Sequence, residues 1–229
     1  LLALGMVAAL FERERSGRGQ VIDAAMLDGA IALLAAIIGF REQGVWRDAT
    51  GENFLAGAAH FYGTNRTRDG HWMAVGAIEP QFHAILLDRL GLDPQEFAPG
   101  VGLGGSRYGS PVDELWPPLQ ARLAAAVGRH TRAELERLFD GTDGCVTPVL
   151  SLAEAPRHPH NVARRAFVEV GGVAQNAPAP RFSRSRPAAP RPATPAGGDT
   201  LAVLRELGYA QAEIAGLRAD GALPGVAAS

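Results

Sequence analysis

The stretch AVGAIEPQF, residues 74–82, sets one carboxylate, Glu79, between an apolar run and a proline. A glutamate there has two readings. At a helix N-terminus it is a favourable negative charge against the macrodipole. Across a cleft it is a group that orients or charges a histidine, and the same helix end would help to keep it ionised. The chain has six histidines. His158 and His160 flank Pro159 and offer two metal ligands, but no third stands at a recognisable spacing, so a polar turn is expected and no metal site. His60, His71, His83 and His130 are isolated in sequence and read as surface or core histidines. Arg164 and Arg165 have the chemistry to bind phosphate, yet paired arginines are commonest on solvated turns. VGLGG, residues 101–105, is glycine-rich but has no strand before it and no helix after it. No G-x-S-x-G elbow, P-loop or dinucleotide fingerprint occurs.

The elements that must position these residues follow from periodicity and breakers. Residues 1–15 read as an amphipathic helix ended by the turn SGRGQ. VIDAAM, residues 21–26, reads as a short strand. Residues 27–43 are apolar on most faces, which predicts a buried helix stopped by Gly44. Residues 48–62 are rich in Gly and Ala and irregular. Residues 63–68 and 71–75 flank Asp69-Gly70, a two-residue hairpin signal. Pro80 suits the first turn of a helix ending at Leu90. LGLDPQEF is a turn with a short helical piece, and two helices follow, over residues 115–127 and 132–139. Thr131 and Glu134 are expected to miss a capping box by one place. CVTPVL is a short strand whose proline puts it at a sheet edge or crossing. Beyond Leu152 come a helix fragment, a polar turn, the strand AFVEV, an extended proline-rich arm, and a closing amphipathic helix interrupted by Gly208.

The totals narrow the class. At 229 residues, with 47% hydrophobic and 20% charged residues, the chain can bury a sizeable core in one large domain or two small ones. All 22 basic residues are arginine and the formal net charge is −2, so no nucleic-acid partner is expected. No apolar run reaches membrane-span length, so no membrane partner is expected either. The lone cysteine, Cys145, rules out an internal disulfide and suits a reducing, cytoplasmic setting. The first residues lie inside a helix with neither an initiator methionine nor an N-cap, which reads as a fragment of a longer protein. From the residues alone the expectation is an α/β or α+β protein with one suggestive carboxylate.

Several stretches taken together go further. ERERSGRGQVIDAAMLDGA resembles the helix–turn–strand signature of the family III CoA transferases. FYGTNRTRDGHWMAVGAIEPQF, DGCVTPVLSLAEA, HPHNVARRAFVEV and APAPRFSRS resemble its α-methylacyl-CoA racemase branch, and VLRELGYAQAEIAGLR resembles the closing helices of the wider family. The resemblance implies an α/β fold: the C-terminal portion of a Rossmann-like large domain plus a small α+β domain, in an interlocked homodimer. Residues 1–26 would end the N-terminal half of the large domain and 27–62 would form a linker helix and loop. Residues 63–146 would form the small domain, and 147–229 a linker, the proline-rich arm and the return to the large domain.

The implied chemistry is removal and return of the α-proton of a 2-methylacyl-CoA thioester. No cofactor is implied, because CoA is part of the substrate. A histidine and an aspartate act as bases on opposite faces, and a glutamate of the small domain hydrogen-bonds the histidine. Glu79 stands at that glutamate's place and is the candidate catalytic-site residue; Leu55, Tyr62 and Ile78 are the implied substrate-binding residues. The histidine and aspartate are expected before Leu1, so the chain alone is expected to be inactive. Ala56 and His60 stand where the branch usually has aspartate and proline. Ile37, Ile38 and Phe40 follow Asp28 where some members use methionine against the acyl chain. A CoA transferase of the same family, and a non-catalytic dimerising fragment, are the alternatives.

Overall fold

The computed structural model describes residues 1–97 and 116–223. The VGLGG stretch and Leu115 lie outside them. The chain divides into two compact units, Leu1–Val149 and Leu150–Ser229.

The first unit opens with α1 (Leu2–Ser16), which ends at Gly17 in the left-handed region, φ 71°. VIDAAM does not become a strand. Residues 21–25 run without regular structure, with Val21 96% exposed and no backbone hydrogen bond from residues 21–24 among the described residues, and Met26 already opens a helix. A strand is defined by its neighbour, and none of the described residues supplies one. The apolar stretch that follows forms α2 (Met26–Leu33) and α3 (Ala35–Glu42), broken at Leu34 and stopped at Gly44. The expected burial is absent: neither helix contains a buried residue, and Met26 and Leu33 are 92% and 81% exposed.

The folded centre of this unit is a three-stranded antiparallel sheet of order β1-β2-β3, from β1 (Tyr62–Arg66), β2 (Trp72–Gly76) and β3 (Val146–Pro148). Pro148, opposite Met73, sits on the edge strand, where its missing N–H costs no internal ladder bond. The β1–β2 tip is three residues long, not two. The Thr67 N–H donates to His71 O, the Gly70 N–H donates to Thr67 O, and Gly70 takes φ 82°, which favours glycine.

Three helices cover one face of this sheet: α4 (Pro80–Leu90), α6 (Trp116–Val127) and α7 (Arg132–Phe139); α5 (Pro94–Phe97) lies between α4 and α6 in the chain. Period-2 alternation turns Met73 and Val75 inward, where they meet Leu86, Leu90, Leu123, Ala126, Val127, Leu135 and Phe139. The capping box at α7 does form. Thr131 Oγ1 accepts from the Glu134 N–H at 3.3 Å, and a Glu134 carboxylate oxygen accepts from the Thr131 N–H at 2.7 Å. Thr131 is the N-cap and Glu134 the third helical residue, which is the T-x-x-E spacing itself. The hairpin tip fastens to the same helix end: Arg68 reaches both Glu134 oxygens, and Asp69 accepts from the Arg132 N–H at 3.2 Å. The Thr67 hydroxyl, donating to Asp69 at 2.6 Å, is the main reason that the Asp69 carboxyl lies below its ordinary pKa.

The second unit holds α8 (Pro159–Ala163), a hairpin of β4 (Phe167–Val170) and β5 (Val173–Asn176), and the helices α9 (Thr200–Glu206) and α10 (Gln211–Ala219). The hairpin turns on Gly171-Gly172, both at positive φ; β5 was not among the expected elements. The proline-rich arm is exposed and without regular structure, and Gly208 separates α9 from α10.

Candidate functional site

Glu79 is the N-cap residue of α4, with extended backbone, φ −74° and ψ 142°. Its carbonyl accepts from the Phe82 and His83 N–H groups at 3.0 and 2.9 Å. Its carboxylate does not cap the helix, and no side-chain hydrogen bond or ion pair of it occurs among the described residues. The residue is half-buried. The structure therefore presents a carboxylate on a helix N-terminus that serves no visible internal bond.

The wall next to it is apolar. Phe54, Ala59, Phe61 and Trp116 form a buried cluster, and Leu55, Tyr62 and Ile78 all pack against it, half-buried. These three come from a 3-10 turn (Phe54–Ala56), the start of β1 and the β2–α4 connection, and Ile78 directly precedes Glu79. Phe40 joins the same cluster, its ring edge-on to Phe54 at 5.8 Å, while Ala56 is exposed. Asn53 holds the approach to this loop: its amide donates to Arg47 O at 2.9 Å, and its carbonyl oxygen accepts from the Arg47 N–H at 2.8 Å. Beside the loop, a groove of about 410 Å³ is lined by Arg47, Glu52, Gly57, Ala58, Trp116 and Gln120 among others.

Cys145 lies close enough to Glu79 for the carboxylate to act on it. Burial pushes the thiol pKa up, and the negative charges of Glu79 and then Asp143 push it further. The approach is made by a turn that needs glycine at Gly144, where a Cβ would stand 2.8 Å from the Phe139 ring. Cys145 itself takes φ 52°, and its carbonyl accepts from the Gly76 N–H at 2.9 Å. Sequence patterning did not bring these two residues together, because 66 positions separate them.

His60 and His83 are not isolated. They are 2% and 5% exposed, and their Nε2 atoms lie 3.0 Å apart. One Nε2 must carry the proton and the other accept it. Desolvation lowers the pKa of His60 to about 3, with the facing ring as the second cause, and desolvation lowers that of His83 to about 4. Both rings are neutral at physiological pH. A signal for His83 existed: with Leu86, Leu87 and Leu90 it falls on the inward stripe of α4. A buried polar ring needs a partner, and that requirement points to a second buried donor or acceptor.

The histidine pair and the arginine pair singled out in the sequence belong to the second unit. His158 stands at the N-cap position of the short helix α8 and His160 lies within it, and no group of three or more His, Cys, Asp or Glu able to hold a metal occurs among the described residues. Arg164 and Arg165 are exposed, and the Arg165 carbonyl accepts from the Arg181 guanidinium at 2.9 Å. Among the described residues no helix is long and apolar enough to cross a membrane.

Comparison with known proteins agrees with this fold. The chain belongs to CoA-transferase family III, whose model matches residues 1–200. Within that class it is 43% identical over 222 residues to the α-methylacyl-CoA racemase of Mus musculus, covering 96% of this chain and 56% of that protein. The Homo sapiens racemase is 37% identical over 235 residues, again 96% of this chain and 56% of the relative. The chain thus spans little more than half the length of these relatives. Among solved structures, a CaiB/BaiF family protein from Brucella suis superposes with a TM-score of 0.63 at 21% identity, over 89% of this chain and 52% of that one. That likeness supports the fold, a mixed α/β C-terminal portion of the family architecture.

Proposed function

We propose that this chain is the C-terminal part of an α-methylacyl-CoA racemase in which Glu79 orients the catalytic histidine. The observation that carries the reading is the pairing of 43% identity to a racemase with a half-buried, unengaged carboxylate on a helix N-terminus. A base takes the α-proton of the 2-methylacyl thioester. The electron pair moves onto the thioester oxygen as an enolate, and a second acid returns a proton to the opposite face. The resemblance gives these two roles to a histidine and an aspartate in the part of the family's length outside this chain. Glu79, accepting from the histidine's second N–H, would fix its tautomer and favour its protonated form. Leu55, Tyr62 and Ile78 form the apolar surface for the acyl branch. CoA enters as part of the substrate, so the reaction needs no further cofactor. The intact protein is read as a cytoplasmic homodimer, with the exposed faces of α1–α3 and the proline-rich arm as its contact surfaces. The single exposed cysteine suits a reducing compartment.

The test is α-proton exchange in deuterated buffer with a 2-methylacyl-CoA. The chain joined to the remaining family portion should incorporate deuterium, and the chain alone should not. Robust exchange by the chain alone would place the bases within these residues. Transfer of CoA to an acceptor acid without exchange would make the protein a transferase.

A further inference from the structure

The two buried imidazoles sit at a junction. His60 closes the irregular segment that carries Leu55, and it lies two residues before Tyr62. His83 stands on α4, one turn past Glu79. The His60 ring meets Phe61 edge-on at 5.1 Å and Phe97 at 5.3 Å; Phe61 in turn meets Trp116 at 6.3 Å. The pair therefore lies between the cluster that supports Leu55, Tyr62 and Ile78 and a second cluster of Leu87, Phe97 and Leu119. The 3.0 Å bond is the polar link across this apolar junction. His60 Nδ1 has no partner among the described residues, so the Nε2 contact is the one polar interaction found for that ring. Charged residues do stand on the surrounding elements: Glu79, Asp88 and Arg89 on or capping α4, Glu96 on α5 and Arg122 on α6, the last two paired with each other. For His60 the influences on ionisation are burial and then His83; for His83 the influence is burial.

We propose that His60 and His83 are positioning residues: their hydrogen bond fastens residues 53–62 to α4 and so sets the apolar wall of Leu55, Tyr62 and Ile78 next to Glu79. The function of that wall rests on the racemase reading; the fastening itself does not. Losing one ring leaves the other buried and unpaired, which is costlier than losing both.

The experiment uses His83→Phe, which keeps a ring but removes the bond, His83→Gln, which keeps a donor and an acceptor, and the double variant His60→Phe/His83→Phe. In the chain itself, the NMR methyl shifts of Leu55 and Ile78 should move in His83→Phe and return toward the native positions in His83→Gln. Native shifts in folded His83→Phe would overturn the proposal, whatever the reaction. In the intact protein, His83→Phe should raise KM for a branched acyl-CoA about tenfold, leave kcat within about threefold, and be partly rescued by His83→Gln. Equal KM values in all folded variants would refute the positioning role. Absence of exchange by the unmutated intact protein would instead refute the racemase reading, with the shift experiment still deciding the fastening. If His83→Phe does not fold, the double variant decides: native shifts of Leu55 and Ile78 in it refute the fastening, and displaced shifts support it.

Discussion

Replacing Glu79 by glutamine separates a helix-end charge from a working carboxylate. Gln preserves the shape and removes the charge. The native carboxylate makes no capping bond to α4, so only the dipole interaction is lost. On a half-buried helix end that loss is about 0.3–1 kcal/mol, and the melting temperature should hardly move. Two other readouts should move. Glu79 helps to raise the Cys145 thiol, so Glu79→Gln should lower that pKa and speed alkylation of Cys145 at a fixed pH near neutrality. On the racemase proposal, the histidine base of the intact protein would lose its anionic partner. By analogy with the aspartate of a catalytic triad, kcat should fall by about one to four orders of magnitude. The acidic limb of the pH–rate profile should shift to lower pH, because the histidine's protonated form is no longer favoured. Unchanged kcat with an unshifted acidic limb would return Glu79 to a helix-end role. An unchanged alkylation rate would refute its proximity to Cys145.

Further outcomes concern the fold. His60 and His83 have depressed folded pKa values, about 3 and about 4, so their stabilising contribution is complete above the unfolded value near 6.5 and is lost as pH falls. From pH 7.5 to 5 each ring should cost about 2 kcal/mol of unfolding free energy, and the double variant His60→Phe/His83→Phe should flatten this dependence in urea titrations. Leu123→Ala empties a fully buried position in the cluster that holds Met73 and Leu86, and should cost roughly 2–5 kcal/mol by the same assay. Thr131→Ala removes the side-chain half of the α7 capping box and should cost about 1 kcal/mol, with Thr131→Ser largely retaining it. The apolar faces of α1–α3, with Leu4 67% and Leu27 69% exposed, should make the isolated chain associate in light scattering; a monodisperse monomer at tens of micromolar would contradict this.

What the sequence determined by itself is local. Gly17, Gly44, Gly70 and Gly208 stop or turn the chain where their freedom from a Cβ is needed. Pro80 opens α4, Pro148 confines β3 to an edge, and period-2 and period-3.6 patterns mark β2 and the helices over it. Position 79 was legible as a helix N-terminus, and its chemical role was legible only through family resemblance. Three results needed the tertiary structure, each because it depends on a partner far along the chain. VIDAAM has strand-like residues but no neighbour to pair with among those described. Residues 27–43 have the composition of a buried helix but contain no buried residue, since burial is set by what covers a face and not by its hydrophobicity. His60 and His83, which look unrelated along the chain, become one hydrogen bond when β1 and β2 pair and α4 packs on the sheet. The same folding brings Cys145 to Glu79, through the register that sets Val75 opposite Val146. Spacing along a chain fixes φ, ψ and local caps; only packing decides which buried polar atoms find each other.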